Sequence, residues 1–255
     1  MIATRDQWET DLARSLSRLS QRQLNRLMES VGDPPDLNKI TPEFWNEYST
    51  AMRGELLPTL EKIFLGSAED LLGTTSIGVD WALVNQEAAR WARSYGYDLV
   101  RGITDNTRNA LRDKTAAFFE QGLNLRQLRD SLESLFGPVR AEMLAATEVT
   151  RAAAQGEAAT VREIEKSGIA MVPVWNTNND AIVRRCPICW PRHGKKQGDG
   201  WIDLPPAHPR CRCWCNYEFA MEGKVYQWSK ASGDLLVVYL KSRKSLSATV
   251  LNSSV

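Results

Sequence analysis

All five cysteines of this 255-residue chain fall between positions 186 and 215. A disulfide framework spreads its cysteines over the chain it staples, and a chain of this length has enough apolar surface to fold without covalent help. Five is also an odd number for pairing. Thiols crowded into one short segment of an otherwise cysteine-free chain point instead to a metal ion. Whatever the rest of the chain does, this segment must fold back on itself so that sulfurs from both of its ends meet.

Cys186-Pro187-Ile188-Cys189 has the two-residue spacing that lets backbone amides wrap a metal while both thiolates point inward. About twenty residues further on comes His208-Pro209-Arg210-Cys211-Arg212-Cys213. Two ligands from each half complete a tetrahedral zinc site, at about 2.3 Å for sulfur and about 2.0 Å for nitrogen. His208, Cys211, Cys213, Cys215 and His193 compete for the second pair of places, with His208 and either Cys211 or Cys213 preferred. Cys215 follows Cys213 by two residues, so on a strand both would face the same way, and it is the fallback. A zinc deaminase also carries a Cys-x-x-Cys pair, but needs a His-x-Glu before it. No histidine precedes Cys186, and there is no phosphate-cradling glycine loop. The expected ion is structural Zn(2+), with no catalytic residues.

The first two thirds of the chain read as helix. Trp8, Leu12, Leu16 and Leu19 step along one helical face, as do Tyr48, Met52, Leu56, Leu60 and Ile63, and then Val84, Ala88, Trp91, Tyr95 and Leu99. Thr41-Pro42 is a cap followed by a first-turn proline, and Pro58 is expected to kink the helix it opens. Asn124 caps a short helix ended by Gly137-Pro138, and a long helix follows from about Val139 to Lys166, closed by Gly168. Beyond residue 169 the pattern changes. Met171 to Thr177 reads as an extended segment whose proline suggests a sheet edge, Asn178-Asn179-Asp180 as a turn, and 190–210 as a loop. Cys213 to Phe219, Lys224 to Trp228 and Leu235 to Leu240 read as strands, and the last dozen residues as a loose tail. The fold class is mainly α with a small α+β zinc-knuckle module: a helical region 1–137, a knuckle module 138–220, and a short β-containing basic tail 221–255.

Charge is unevenly spread. The chain carries a net +1, but from Arg184 onward twelve Lys/Arg face five Asp/Glu, about +7, against about −6 before it. Arg184, Arg185, Lys195, Lys196, Arg210 and Arg212 surround the cysteines, with Trp190, Trp201 and Trp214 among them. Such interleaving suits phosphates and stacked bases, and equally a protein interface. The longest aliphatic stretch, Leu235 to Leu240, is too short to cross a membrane, and the start has no apolar signal core, so a cytosolic protein is expected.

Ala146-Thr147-Glu148-Val149-Thr150-Arg151-Ala152, then Trp175-Asn176-Thr177 and Asp180, then the Cys186/Cys189 pair, Pro205-Pro206-Ala207-His208-Pro209 and Cys211-Arg212-Cys213 follow one another in an order that resembles the phage Mu F-like minor head proteins, also called head morphogenesis proteins. The resemblance covers roughly residues 140 to 215, and its closing Pro-Pro-x-His-Pro-x-Cys-Arg-Cys string is its most specific part. It implies a minor capsid protein of a tailed phage or prophage. Such a protein associates with the portal and the major capsid or scaffold protein, and with packaged double-stranded DNA. It is found in the host cytoplasm during assembly and in the virion head afterwards. Two features depart from the family pattern: Arg192-His193-Gly194 stands where many members have Asp-Gly, and Cys215 is additional. Glu148 and Arg151, three apart, are expected to pair at the surface or to clamp the following module. The rival readings are an ADP-ribosyl-transferring or toxin-like effector built on Glu148, and a free zinc-dependent nucleic-acid binder.

Overall fold

The computed structural model describes residues 2–74, 78–178, 184, 186–221, 224–228, 235–241 and 245–249, with backbone alone for 2–4 and from 220 onward. Among the described residues five helices come first: α1 (Ile2–Val31), α2 (Pro42–Leu72), α3 (Trp81–Gln121), α4 (Leu125–Phe136) and α5 (Pro138–Glu165). Five antiparallel strands follow as a simple meander: β1 (Ala170–Asn176), β2 (Trp214–Met221), β3 (Lys224–Trp228), β4 (Leu235–Lys241) and β5 (Ser245–Thr249). The protein is mainly helical with an antiparallel sheet, and no helix among the described residues is long and apolar enough to cross a membrane.

The stripes read from the sequence are the faces that the helices bury. Leu12, Leu16 and Leu19 of α1 and Tyr48, Met52, Leu56, Leu60 and Ile63 of α2 are all shielded from solvent, with Trp8 packed against them. In α3 the same holds for Val84 and Ala88, while Trp91, Tyr95 and Leu99 are partly buried against the core. Asn124 caps α4 reciprocally with Gln127, each side chain bonding the other's backbone amide. Thr41 precedes α2 in extended conformation but makes no side-chain cap bond, so Pro42, which lacks an N–H to satisfy, opens this helix alone. Pro58 lies inside α2 without interrupting it.

α5 is the axis of the molecule. Between Ala145 and Val161 nearly every side chain is buried, and most are Ala, Gly or Thr. Small residues let neighbours approach from all sides, so α1 and α2 pack along α5 and a single apolar core runs through all five helices. The nearest approach is at Gly156, where a Cβ would run into the backbone carbonyl of Phe64 in α2. At its far end α5 shares a smaller cluster, Val161 and Ile164 with Leu71 of α2 and Met171 of β1, and this joins the helices to the sheet. Beside it lies a buried ion pair between Arg5 of α1 and Glu157 of α5, whose carboxyl burial pushes up to about 7 despite the guanidinium.

β1 is an edge strand, as Pro173 suggested, but its free edge is covered. Lys195–Gln197 lies along it, with Trp175 N donating to Lys195 O (3.0 Å), Gly194 N to Trp175 O (2.8 Å) and Gln197 N to Pro173 O (3.0 Å). The 190–210 loop is therefore an ordered partner of the sheet, with a short 3-10 turn at Trp190–Arg192. The expected loose tail contains a strand instead, β5, which continues the ladder beyond β4. The predicted turn at Asn178-Asn179-Asp180 lies, except for Asn178, outside the described residues.

The Gly156 contact generates a paired expectation. Gly156→Ala should destabilise the protein by about 2 kcal/mol or more, because backbone rather than a flexible side chain blocks the new methyl. Gly102→Ala, on the exposed side of α3 with open space around it, should stabilise by about 0.5–1 kcal/mol. Denaturant unfolding of both variants measures the contrast, and equal stabilities would contradict the close approach.

Candidate metal centre

The Cys186–Cys189 turn is built by its own backbone. Cys189 N donates to Cys186 Sγ (3.4 Å) and Trp190 N to Cys186 O (3.2 Å), so amides wrap the first sulfur as the spacing anticipates. Burial pushes the Cys186 thiol up, but the amides of Cys189 and Ile188 and the nearby His208 outweigh it and hold the thiol below its ordinary value. The second half arrives in the turn Pro209-Arg210-Cys211, where Arg210 takes a left-handed backbone (φ 63°) and Cys211 N donates to His208 O (3.1 Å).

Five ligand atoms from the two halves converge. Cys186, Cys189 and His208 form one group within 4.8 Å, and Cys189, Cys211 and Cys213 a second that shares Cys189. His208 Nε2 lies 3.3 Å from Cys186 Sγ and 3.1 Å from Cys189 Sγ, and Cys189 Sγ lies 3.8 Å from Cys211 Sγ. The edge of a sulfur tetrahedron around an ion at about 2.3 Å is also about 3.8 Å. His208 Nδ1 sits 2.7 Å from Pro209 O. A carbonyl can only accept, so Nδ1 carries the proton and Nε2 presents its lone pair to the sulfurs, the usual orientation of a ligating imidazole. Hydrogen bonds from the Cys189 and Cys213 thiols pull the Cys211 thiol below its ordinary value, and the same contacts push Cys189 up. Three buried thiols this close cannot all ionise on their own; a soft divalent cation would remove that conflict. The cluster is thus close enough to hold a metal ion, and its donor chemistry fits one.

The two remaining candidates lie apart from it. His193 stacks on Trp190 (5.7 Å between centroids), and its Nδ1 accepts from Thr177 N at 3.3 Å. Cys215 is buried in the same small core as Cys213, but its sulfur belongs to neither group of converging ligand atoms. In the ladder it stands opposite Trp175, and burial, with the Glu157 charge nearby, pushes its thiol up.

Trp175, fully buried, is the centre of the small core under the cluster. It meets Trp201 edge-on (5.2 Å), and the Arg192 guanidinium covers its ring (5.0 Å). The module is then fastened to the helices by contacts that the sequence pattern does not itself display. Thr150 Oγ1 donates to Cys211 O (2.7 Å), and Thr147 Oγ1 accepts from Arg210 N (2.9 Å). Arg210 also reaches Val139 O, and Arg212 embraces Glu9 of α1 with two hydrogen bonds. The available signal was the pair of threonines three apart on one face of the long helix. Glu148 and Arg151 do pair (3.5 Å), but neither at the surface nor onto the knuckle: Glu148 is buried and accepts from Tyr95 of α3 (2.7 Å), and Arg151 lies over the Tyr95 ring. Burial raises the Glu148 carboxyl against the opposing pull of Tyr95 and Arg151.

Much of the basic charge around the cysteines is committed internally. Besides Arg192, Arg210 and Arg212, Lys196 pairs with Glu218 (2.8 Å). Trp201 is buried and Trp190 stands exposed, so the three nearby tryptophans do not form one open aromatic platform. The chain matches no protein-family model, and neither curated proteins nor solved structures show a match to it.

The threonine grip is testable. Thr150→Val leaves the buried Cys211 carbonyl unpaired at nearly constant volume and should cost about 1–3 kcal/mol in denaturant unfolding, while Thr150→Ser, which keeps the hydroxyl, should cost less. A valine variant as stable as the parent would show that the bond does not hold the module.

Proposed function

We propose that this chain is a minor capsid protein of a tailed phage or prophage, of the Mu F-like head-morphogenesis kind, and that its C-terminal module is stapled by a structural zinc. Cys186, Cys189 and His208 supply three of its ligands, and Cys211 or Cys213, which converge on Cys189 from the other side, supplies the fourth. Four protein ligands leave no open position for a substrate or an activated water, which suits an architectural ion.

One observation carries the reading. The residues on which the resemblance rests are scattered over more than sixty positions, yet they meet: Thr147 and Thr150 bond the His-Pro-x-Cys-Arg-Cys string, Trp175 fills the core beneath it, and the Cys186–Cys189 turn closes over it. Their meeting as one physical unit supports the resemblance. The burial of Glu148 between Tyr95 and Arg151 favours architecture over the effector alternative, because that carboxylate already has its partners. In this reading the acidic helical part docks against portal, shell or scaffold, and what remains free of the basic C-terminal part faces packaged DNA.

Co-expression with the portal and major shell proteins of the same genome provides the test. The chain should co-purify with assembled particles in few copies per portal, and Cys189→Ser should reduce its incorporation severalfold. Particles that form and mature normally while excluding the chain would contradict the proposal.

A further inference from the structure

Two cavities, of about 340 and 160 Å³, lie beside α2 and α3 and adjoin at the stacked Trp45–Arg108 pair that walls both, so they are read together as one grooved surface. Its floor is apolar, made by Leu37, Ile40, Trp45 and Leu111. Its rim is cationic: Arg53 from α2, and Arg101, Arg108 and Arg112 from α3, against the single carboxylate of Asp105. The α3 arginines are seven and four residues apart, which places them along one helical face over about 16 Å.

All of these guanidiniums but Arg101 are positioned without being neutralised. Arg53 donates from Nε to Ser49 O (3.2 Å) and lies over Tyr97 (5.3 Å). Arg108 lies over Trp45 (5.2 Å), with a buried Nε that has no hydrogen-bond partner. Arg101 pairs with Asp98 (3.0 Å), whereas the ion pairs among the described residues do not include Arg53, Arg108 or Arg112. Aromatic residues that hold arginines above an apolar floor make the kind of surface that anchors a protein partner. Planar guanidiniums with unused donors select carboxylates, which they can bind with two parallel hydrogen bonds.

We propose that this groove is a docking site for an acidic segment of a partner protein, its carboxylates taken by Arg53, Arg108 and Arg112 and its apolar side chains by the floor around Trp45. Nucleic acid is the poorer occupant. The chain before Arg184 carries a net charge of about −6, which opposes the approach of a polyanion, while a short peptide feels mainly the local arginines. The site gives a location and a chemistry to the docking role assigned above to the helical part, but peptide binding is measured apart from particle assembly, so either can fail alone.

The test is fluorescence anisotropy of the full chain with a fluorescein-labelled peptide of alternating Glu and Leu, alongside a Lys–Leu peptide and mixed-sequence duplex DNA. The acidic peptide should bind in a salt-sensitive way, and the Lys–Leu peptide should not. Arg112→Glu, at an exposed position, and Arg108→Ala should each weaken it roughly tenfold. Arg22→Glu, exposed on α1 and lining neither cavity, should leave binding unchanged, and melting curves should confirm that the variants fold. Absence of binding, binding indifferent to Arg112→Glu, or DNA binding that depends on Arg112 in place of peptide binding would each overturn the proposal.

Discussion

The molecule is organised by how little side chain α5 carries. Alanine, glycine and threonine along its middle turns allow burial on nearly every side, with α1 and α2 against one part of its surface and the cysteine module against another. The contact of Gly156 with the Phe64 backbone shows how little space remains. Larger residues there would separate the helices and also move the module, because Thr147 and Thr150, which hold the Pro209–Cys211 turn, sit on this same helix. The position of the candidate metal site is thus a consequence of helix packing in a part of the chain with no metal chemistry of its own.

The module has a different problem. Its core consists of Trp175, Trp201 and four of the cysteines, too little apolar surface to hold a long, glycine- and proline-rich loop by burial alone. Hydrogen bonds to β1 and to α5 fix the loop's ends, but they leave Cys186, Cys189, Cys211 and Cys213 crowded together with His208. Without a cation that crowding is a liability, since negative charge on one sulfur opposes ionisation of its neighbours. With one, the same geometry becomes a crosslink between the two halves of the loop. The Nδ1 hydrogen bond of His208 to Pro209 O fits the second case, because it orients the ring before any ion arrives.

Periodicity and caps were legible from the residues because they are local. The apolar steps of α1 and α2 are their buried faces, Asn124 caps as its position implies, and Cys186 with Cys189 forms the expected turn. Relations between distant segments were less legible. Nothing local to Glu148 shows that Tyr95, 53 positions away, would draw it inward, or that threonines would grip the knuckle instead. Nor does the spacing of Cys213 and Cys215 show that Cys215 would be left in the core opposite Trp175, outside the converging ligand atoms. The basic character of the C-terminal part was plain in the composition, but Glu9, Glu218 and the Trp175 ring, which engage Arg212, Lys196 and Arg192, lie on other elements. The extra strand β5 likewise depends on β4 rather than on a strong pattern of its own.

The central claim is that the two halves of the cysteine loop are joined through a metal, and elemental analysis combined with thiol titration of the purified native chain tests it most directly. The account predicts about one equivalent of zinc per chain, released only as Cys186, Cys189 and one of Cys211 and Cys213 are titrated. A folded protein with no bound metal and all five thiols freely reactive would contradict it.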